Sequence, residues 1–319
     1  MRKTLACLLA ALALGLGPAG AQDYPTRPVK IFIAFPVGGL LDTVSRIVGE
    51  KLSGLLGQQF VIEARPGAGG TIATLAVAKA DPDGYTLMMI NDNHALNPSV
   101  FKNIPYDSVK DFAPIGFVGY TPLILVANPS VPAKDVKELI VLAKARPGQL
   151  NFAIGAVGSS LHMAGEAFKM QSGVDIVNIP YKGTAPAVQD LLAGQVQLMF
   201  AAVGNVKAHI QAGKLKALGV TTATRLPVFP EVPAIAEALP GYESSAWFGL
   251  FGPARLPADV SRKLSDAARR ALQQPDMLRR LDTEGAIPVG NSPEQFAAFV
   301  QSEIPRWAKV VKFSGAKPE

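Results

Sequence analysis

The densest group of side chains that could do chemistry is the run Ser159-Ser160-Leu161-His162. A serine activated by a histidine is the nucleophile of many hydrolases, so an exported serine hydrolase is one hypothesis for this chain. However, position 162 is not the glycine of a GxSxG turn, and side chains two positions apart point to different faces of a helix. The simpler interpretation is that Ser159 or Ser160 caps a helix, with its hydroxyl also available to a ligand.

Turns that contain glycine precede several predicted helices, and such turns can bind anions. The first N–H groups of a helix lack partners within it and carry partial positive charge, and glycine lets a ligand approach the backbone. A carboxylate or a phosphate could therefore bind at these helix starts. The candidate turns span residues 36–42, 66–70, 155–160 and 182–184.

Asp42 and Thr184 have different predicted roles at two of these helix starts. Asp42 falls in the first turn of its helix, where a carboxylate interacts well with the helix dipole but would repel a bound anion. We therefore assign Asp42 to capping, or to a hydrogen bond across a cleft, rather than to anion contact. Thr184 is predicted to be the N-cap of the next helix, with Pro186 in its first turn and Gly194 at its end.

These turns connect strands and helices that alternate along the chain. Strands are predicted near residues 29–35, 60–65, 85–91, 115–119, 123–127, 150–154, 176–181, 198–202, 217–221 and 247–252. Helices are predicted near residues 40–56, 71–80, 133–145, 161–171, 185–192, 258–273, 275–283 and 293–312. A loop that carries His94, Asn97 and Pro98 is expected after the third strand. The alternation predicts a mostly parallel α/β sheet with helices on both faces.

Two α/β halves followed by a helical return predict two lobes. The first lobe would comprise residues 22–123 and 246–319, and the second lobe residues 124–245. Ligands of open α/β sheets bind beyond the carboxyl ends of the strands, so the candidate turns could face one another across a cleft. The lobes would close by a hinge near residues 123 and 246.

Residues 1–21 have the features of a secretory signal peptide. Arg2 and Lys3 precede an apolar run that ends in the small-x-small pattern Ala19-Gly20-Ala21, so cleavage is predicted after about Ala21. The only cysteine, Cys7, lies in this segment, and the mature chain would therefore have no disulfide and no thiol nucleophile. Loss of Arg2 and Lys3 lowers the formal net charge from +6 to +4, which suits an anionic ligand.

Other ligand classes find little support in the residues. The glycines of 67–70 lack the third glycine of a dinucleotide fingerprint, and no GxxxxGK[ST] loop is present. His94, His162 and His209 are isolated from one another, which argues against a metal site. Lys and Arg are scattered rather than clustered, so we expect no nucleic-acid partner and no cofactor.

Five stretches resemble one known family. They are FPVGGLLDTVSR, ARPGAGGTIATLAVAKADPDGYTLM, GSSLHMAGE, IPYKGTAPAVQDLLAGQVQLMF and AGKLKALGVTTATR. In order and spacing they resemble the Bug-type substrate-binding proteins of tripartite tricarboxylate transporters. The resemblance, from about Tyr24 to the C-terminus, implies a two-lobed type II periplasmic-binding-protein fold without catalytic activity. It also implies a periplasmic receptor that closes on a small organic mono- or dicarboxylate and delivers it to membrane permease subunits.

The resemblance implies site residues in three loops, which hold a ligand carboxylate partly through water. These residues are Pro36, Gly38, Gly39 and Asp42 in the first loop, Ser159, Ser160 and His162 in the second, and Gly183 and Thr184 in the third. Asn91 and His94 lie where the family has a polar loop after its third strand.

Two departures from the family bear on the ligand. Members often have Asp after the strand that ends in Met-Phe, whereas Phe200 is followed here by Ala201. The first loop carries Leu40 and Leu41 where smaller or polar residues are usual. Both departures predict a less polar pocket, hence a carboxylate with a larger apolar or aromatic body. A ligand-sensing periplasmic protein that partners a sensor kinase is a further alternative with the same fold.

Overall fold

The computed structural model describes residues 24–155 and 157–316, so the predicted signal peptide lies outside the described residues. The strands are β1 (Val29–Ile33), β2 (Phe60–Ala64), β3 (Thr86–Asn91), β4 (Phe112–Ala127), β5 (Asn151–Ile154), β6 (Val177–Pro180), β7 (Leu198–Ala202), β8 (Lys216–Val220), β9 (Ser245–Pro253) and β10 (Ile287–Pro288). The α-helices are α1 (Leu40–Leu56), α2 (Thr71–Ala78), α3 (Asn93–Val100), α4 (Val136–Ala145), α5 (Ser160–Ser172), α6 (Thr184–Ala193), α7 (Val203–Gln211), α8 (Ala258–Leu272), α9 (Pro275–Thr283) and α10 (Pro293–Ser314). Short 3₁₀ turns occur at Ala68–Gly70 and Ile235–Glu237.

The strands form a continuous sheet whose pairing is mixed. Its order is β2-β1-β3-β9-β4-β7-β5-β6, and β8 and β10 also pair with β4. Among the described strands, only the pairs that involve β1 or β5 are parallel; β9 and β4 pair antiparallel with their neighbours. The expectation of a mostly parallel sheet is therefore wrong. Each half begins with parallel strands joined by helices, and the chain then returns through the centre in antiparallel strands.

Strand β4 joins the two halves of the sheet. The sequence predicted two strands there, but one strand of 16 residues is present. Its register runs against β9 as far as Pro122, and against β7 and β8 from Leu123 and Ile124 onward. Because Pro122 lies where β4 changes partners, its missing N–H does not interrupt a central ladder. This change of partners supports the proposed lobe boundary near residue 123.

Two further local predictions are corrected. The expected polar loop after β3 is the helix α3, in which His94 and Asn97 are buried and Pro98 removes one backbone hydrogen bond. The buried polar side chains are used inside the protein, as when Asn97 Nδ2 donates to the Gly69 carbonyl at 3.0 Å. At α6 the N-cap is Gly183 rather than Thr184, which is the first helical residue.

The helices pack where their apolar faces predict. Leu41, Val44, Ile47, Val48 and Leu52 of α1 are buried against the first half of the sheet. Helix α10 starts in the predicted capping box of Ser292 and Gln295, and its residues contact α3 of the first lobe and α5 of the second. One apolar cluster therefore continues through both lobes. Within the described ranges, no helix is both long enough and apolar enough to span a bilayer.

Candidate functional site

The loops predicted to bind ligand follow the carboxyl ends of strands in both lobes. The first loop follows β1, Asp92 follows β3, and the loops at 155–160 and 181–184 follow β5 and β6. One contact joins the two edges: Ser160 Oγ of the second lobe donates a hydrogen bond to Asp92 Oδ1 of the first lobe at 2.7 Å. The carboxyl edges of the two half-sheets therefore meet, as the switch-point rule for α/β sheets predicts.

The turn before α1 exposes backbone donors. Pro36, Gly38 and Gly39 are exposed, and Gly38 has a φ of +87°, a conformation that favours glycine. Gly39 is the N-cap and supplies no side-chain hydrogen bond, so the first N–H groups of α1 have no side-chain cap. A helix start of this kind can accept an anion.

Asp42 stabilises this turn from within the helix. Its Oδ2 accepts a hydrogen bond from the Gly38 N–H at 2.9 Å, and its Oδ1 lies 2.9 Å from Arg46 Nε. Burial acts to raise the pKa of Asp42, but the hydrogen bonds from Arg46 and Gly38 outweigh it and hold that pKa below its usual range. Asp42 therefore accepts the N–H of the turn residue Gly38 and does not cap the first N–H groups of α1, and its exclusion from anion contact stays a prediction.

Leu40 and Leu41 do not share one environment. Leu40 is half-buried, whereas Leu41 is 7% exposed and belongs to the apolar core of the first lobe. Leu41 therefore does not supply pocket surface in this structure, because its position in the first turn of α1 points it toward the sheet. The exposed apolar residue of this loop is instead Val37, whose exposure is 65%.

The turn before α5 repeats this geometry with different side chains. Gly158 has a φ of +76°, and Ser159 is the N-cap whose side chain accepts from the His162 N–H at 3.3 Å. His162 Nδ1 accepts from the Gly158 N–H at 3.0 Å, as Asp42 does from Gly38. The prediction that Ser159 or Ser160 caps the helix is confirmed for Ser159.

The arrangement does not form a hydrolase dyad. The Ser160 hydroxyl donates to Asp92, and His162 Nδ1 accepts from the Gly158 N–H. The Ser160 hydroxyl and His162 Nδ1 therefore do not hydrogen-bond to each other. A histidine in this state cannot take the proton of Ser160 without rearrangement. The geometry favours binding over nucleophilic catalysis.

His162 is anchored from behind by a buried ionic network. Its Nε2 lies 3.2 Å from Asn178 Nδ2 and 3.6 Å from Glu166 Oε1, which in turn lies 2.5 Å from Lys169 Nζ. Burial acts to raise the pKa of Glu166, but hydrogen bonds from His162, Lys169 and Asn178 lower it to about 2. Glu166 is therefore a fixed negative charge that holds the start of α5 in place.

The third loop packs directly against the second. The Gly183 N–H donates to the Gly155 carbonyl at 2.9 Å, and a Cβ at position 155 would lie 3.4 Å from the Thr184 nitrogen and Oγ1. Gly183 has a φ of +109° and is an N-cap without a side-chain hydrogen bond. Thr184 is partly exposed, and within the described part of the chain its hydroxyl makes no hydrogen bond. The turn before α5 and the start of α6 therefore lie side by side.

The remaining predicted site residues are placed differently. Asn91 ends β3, and its buried Oδ1 has no partner among the described residues. His94 lies in the core against Phe112 and Phe251, where burial lowers its pKa to about 4 and Nε2–H donates to the Ser108 carbonyl at 2.8 Å. Ala201 is completely buried in the second lobe, opposite Ile124 of β4.

Asp92 is a buried residue at the edge where the lobes meet, and the sequence analysis did not single it out. It is completely buried, and burial raises its pKa to about 7. An available signal was its position directly after a buried strand, at the edge where ligands of α/β sheets bind. No grouping of three His, Cys, Asp or Glu residues suited to a metal ion occurs among residues 24–155 and 157–316.

Comparison with known proteins agrees with this geometry. A family model described as the tripartite tricarboxylate transporter family receptor matches residues 44–315. Protein BugT of Bordetella pertussis is 39% identical over 303 residues, covering 94% of this chain and 93% of the relative. The likeness to solved periplasmic binding proteins confirms the predicted α/β fold of two lobes with a cleft between them.

Two similar solved structures contain a bound acid. R. palustris Rpa4515 with adipate is 37% identical, has a TM-score of 0.78, and covers 92% of this chain and 100% of its own. MatC from Rhodopseudomonas palustris with bound malate is 36% identical, has a TM-score of 0.75, and covers 90% of this chain and 100% of its own.

Proposed function

Because the chain belongs to the tripartite tricarboxylate transporter receptor family, we propose that it captures a small organic carboxylate between its two lobes. It would deliver this ligand to the permease subunits of a tripartite transporter. The family is one of periplasmic receptors, and the signal features of residues 1–21 support export to the periplasm. The chain would act as a receptor without catalysing a reaction.

The observation that carries this proposal is the meeting of helix starts from both lobes at one edge. The N-cap residues of α1 and α6 supply no side-chain hydrogen bond, and the Ser160–Asp92 hydrogen bond joins the lobes. Helix α1 follows β1, which pairs with β3 next to Asp92, and the turn before α6 contacts the turn before α5. Uncapped N–H groups and the Thr184 hydroxyl are donors that suit a carboxylate. Because the Ser160 hydroxyl is used by Asp92, we assign to Ser160 its backbone N–H rather than its hydroxyl as ligand donor.

We propose a ligand with one or two carboxylates and an apolar body. The apolar residues that support this are Val37 and Val157, which precede the glycines of the turns before α1 and α5 and are 65% and 38% exposed. Half-buried Leu40 adds to that surface, whereas Leu41 does not. The adipate of Rpa4515 and the malate of MatC are both dicarboxylates, and adipate has the longer apolar body.

Titration calorimetry on the mature protein tests the function. The panel comprises adipate, phthalate, benzoate, malate, citrate and aspartate, and we expect binding of an apolar-bodied acid with a Kd on the order of 1 μM, about −8 kcal/mol. A clear preference for citrate or aspartate would overturn the proposed ligand class. If no acid binds and a fluorophosphonate labels Ser159 or Ser160, the hydrolase alternative replaces the receptor.

A matched pair of threonine variants tests the site. Thr184→Val keeps the shape of the side chain but removes its hydroxyl, and we expect affinity to fall about 10- to 100-fold, as for a lost hydrogen bond to a charged group. Thr86→Val, at the amino end of β3 and hence at the opposite end of that strand from the site, is the control. Equal affinities of the two variants would remove Thr184 from the site.

A further inference from the structure

Asp92 and Ser160 form a buried hydrogen bond between the two lobes. Asp92 belongs to the first lobe, as the residue between β3 and α3, and Ser160 opens α5 in the second lobe. Ser160 Oγ, the donor, and Asp92 Oδ1, the acceptor, are 2.7 Å apart. Ser160 is 8% exposed and Asp92 is 0% exposed. Any opening of the cleft that separates these elements must break this bond and expose both groups to water.

Asp92 is poorly satisfied for a buried carboxylate. Its Oδ2 is buried and finds no hydrogen-bond partner among the described residues. Nearby Glu303 of α10 is also buried, but it accepts hydrogen bonds from Trp247 Nε1 at 3.2 Å, Trp307 Nε1 at 2.9 Å and Arg306 at 2.5 Å. A buried charge with one neutral donor is costly, whereas the neutral acid in the same place is not.

Of the two charged groups that act on Asp92, Glu303 acts in the same direction as burial and Arg306 acts against it. Burial, together with the charge of Glu303, raises the pKa of Asp92 to about 7 against the opposing effects of Ser160, of its own backbone and of Arg306. Among the described residues, Glu303 and Arg306, both on α10, are the charged groups that act on it. His94 lies on α3, whose N-cap residue is Asp92. It stays neutral because burial lowers the pKa of His94 to about 4.

We propose that Asp92 is a positioning residue of the ligand cleft, which holds the lobes together through Ser160 and takes up a proton from water when the cleft closes. The protonated carboxyl keeps one oxygen as the acceptor for the Ser160 hydroxyl. Opening hydrates Asp92 and releases the proton. Closure of the empty or loaded receptor is thereby linked to pH.

The sign of this linkage follows from the two states. In the open cleft Asp92 has an ordinary pKa of about 3.9, and in the closed cleft its pKa is about 7, so the closed state binds the extra proton between these values. Closure is therefore favoured at low pH and weakens as the pH rises through 7. The ratio of closed to open molecules is expected to fall about tenfold between pH 6 and pH 8.

Distance measurements without any ligand test the proposal. Because the mature chain has no native cysteine, spin labels can be attached through Val61→Cys in the first lobe and Val141→Cys in the second, both at exposed positions. Pulsed electron paramagnetic resonance then gives the distance distribution between pH 5.5 and pH 8.5. The labelled protein is compared with labelled Asp92→Asn and labelled Ser160→Ala.

The three proteins have distinct expected results. The unsubstituted chain should move from short to longer distances as the pH rises, and Ser160→Ala should show the longer distances at every pH. Asp92→Asn, which keeps a neutral acceptor for Ser160, should stay at short distances at pH 8.5. An Asp92→Asn protein that opens with pH like its parent, or a parent that does not respond to pH, overturns the proposal. If Asp92→Asn does not fold, short distances in Ser160→Ala at every pH overturn it equally.

The biological meaning of this inference rests on the proposed function, but its test does not. If no acid binds but the distances still change with pH, the proposed carboxylate-receptor function is wrong and the proposed role of the Asp92–Ser160 bond stands. If an acid binds but the distances change neither with pH nor with either substitution, the receptor function stands and the proposed role of the Asp92–Ser160 bond is wrong.

Discussion

The turns before α1 and α5 have the same backbone geometry and different chemistry. In each, a glycine with positive φ precedes an extended N-cap, and the third helical residue accepts that glycine's N–H: Asp42 from Gly38 at 2.9 Å and His162 from Gly158 at 3.0 Å. The first lobe has an uncapped helix start, and the second has the serine cap Ser159. The comparison suggests that the turn fixes where donors point, while the cap and the third residue decide which donors remain for a ligand.

The largest expected difference between the two turns comes from the partner of the third helical residue, which is buried Glu166 for His162 and exposed Arg46 for Asp42. His162→Ala should lower the free energy of unfolding by about 2–4 kcal/mol, because it opens a cavity and removes one partner of buried Glu166. Asp42→Ala should cost only about 1 kcal/mol, because its partner Arg46 is 53% exposed and solvent replaces it. Urea unfolding of both variants measures the difference, and equal losses would contradict it.

The contribution of Glu166, in the second lobe, to the free energy of unfolding should depend on pH. The pKa of Glu166 is lowered to about 2 in the folded protein, so its contribution is present above the unfolded value near 4.5 and is lost as the pH falls toward 2. The difference between the parent and Glu166→Gln should therefore shrink by about 3 kcal/mol between pH 7 and pH 2.5. Unfolding curves at several pH values test this, and a constant difference would show that Glu166 is not held ionised by its partners.

Exchange of the N-caps tests what the cap does to ligand donors. Ser159→Ala should cost about 1 kcal/mol of stability, whereas Gly39→Ser should add a few tenths, since serine can accept the Asp42 N–H. The same Gly39→Ser change should weaken acid binding about tenfold, because it adds an acceptor oxygen where the anion approaches. Thermal unfolding and calorimetry measure both effects, and unchanged affinity in Gly39→Ser would exclude the α1 start from the site.

The smallest expected effect concerns the exposed valines of the two turns. Val37→Ser and Val157→Ser should each lower affinity for adipate by a few-fold, about 1 kcal/mol or less, through loss of apolar contact. Exposed Val61→Ser on β2 is the control. If both turn variants match the control, the apolar body of the ligand is recognised elsewhere.

Much of the fold followed from local patterns in the sequence. The apolar spacing in α1 and the Ser292–Gln295 capping box gave helices close to their observed bounds, because both signals act within one element. The continuous strand β4 was not predicted, because Pro122 indicates a break locally and only its change of partners explains it. Likewise His94 is polar in the sequence, yet it packs among aromatic rings that lie far along the chain.

The site was predictable as loops but not as contacts. Glycines and hydroxyls near helix starts marked the turns, and the cap Ser159 followed from helix physics. The hydrogen bond between Ser160 and Asp92 joins residues 68 positions apart and depends on how the lobes meet, so no local sequence pattern predicts it. Burial of Leu41 follows from the apolar face of α1 within one lobe, whereas the resemblance had placed this residue in the ligand pocket.

The most direct test of the central claim is a crystal structure of the mature protein with the tightest-binding acid of the panel. We predict a ligand carboxylate between the lobes, about 3 Å from backbone N–H groups at the start of α1 and from Thr184 Oγ1, with the Ser160 hydroxyl still on Asp92. A ligand carboxylate bound away from both helix starts, or one that takes the Ser160 hydroxyl from Asp92, would contradict the account.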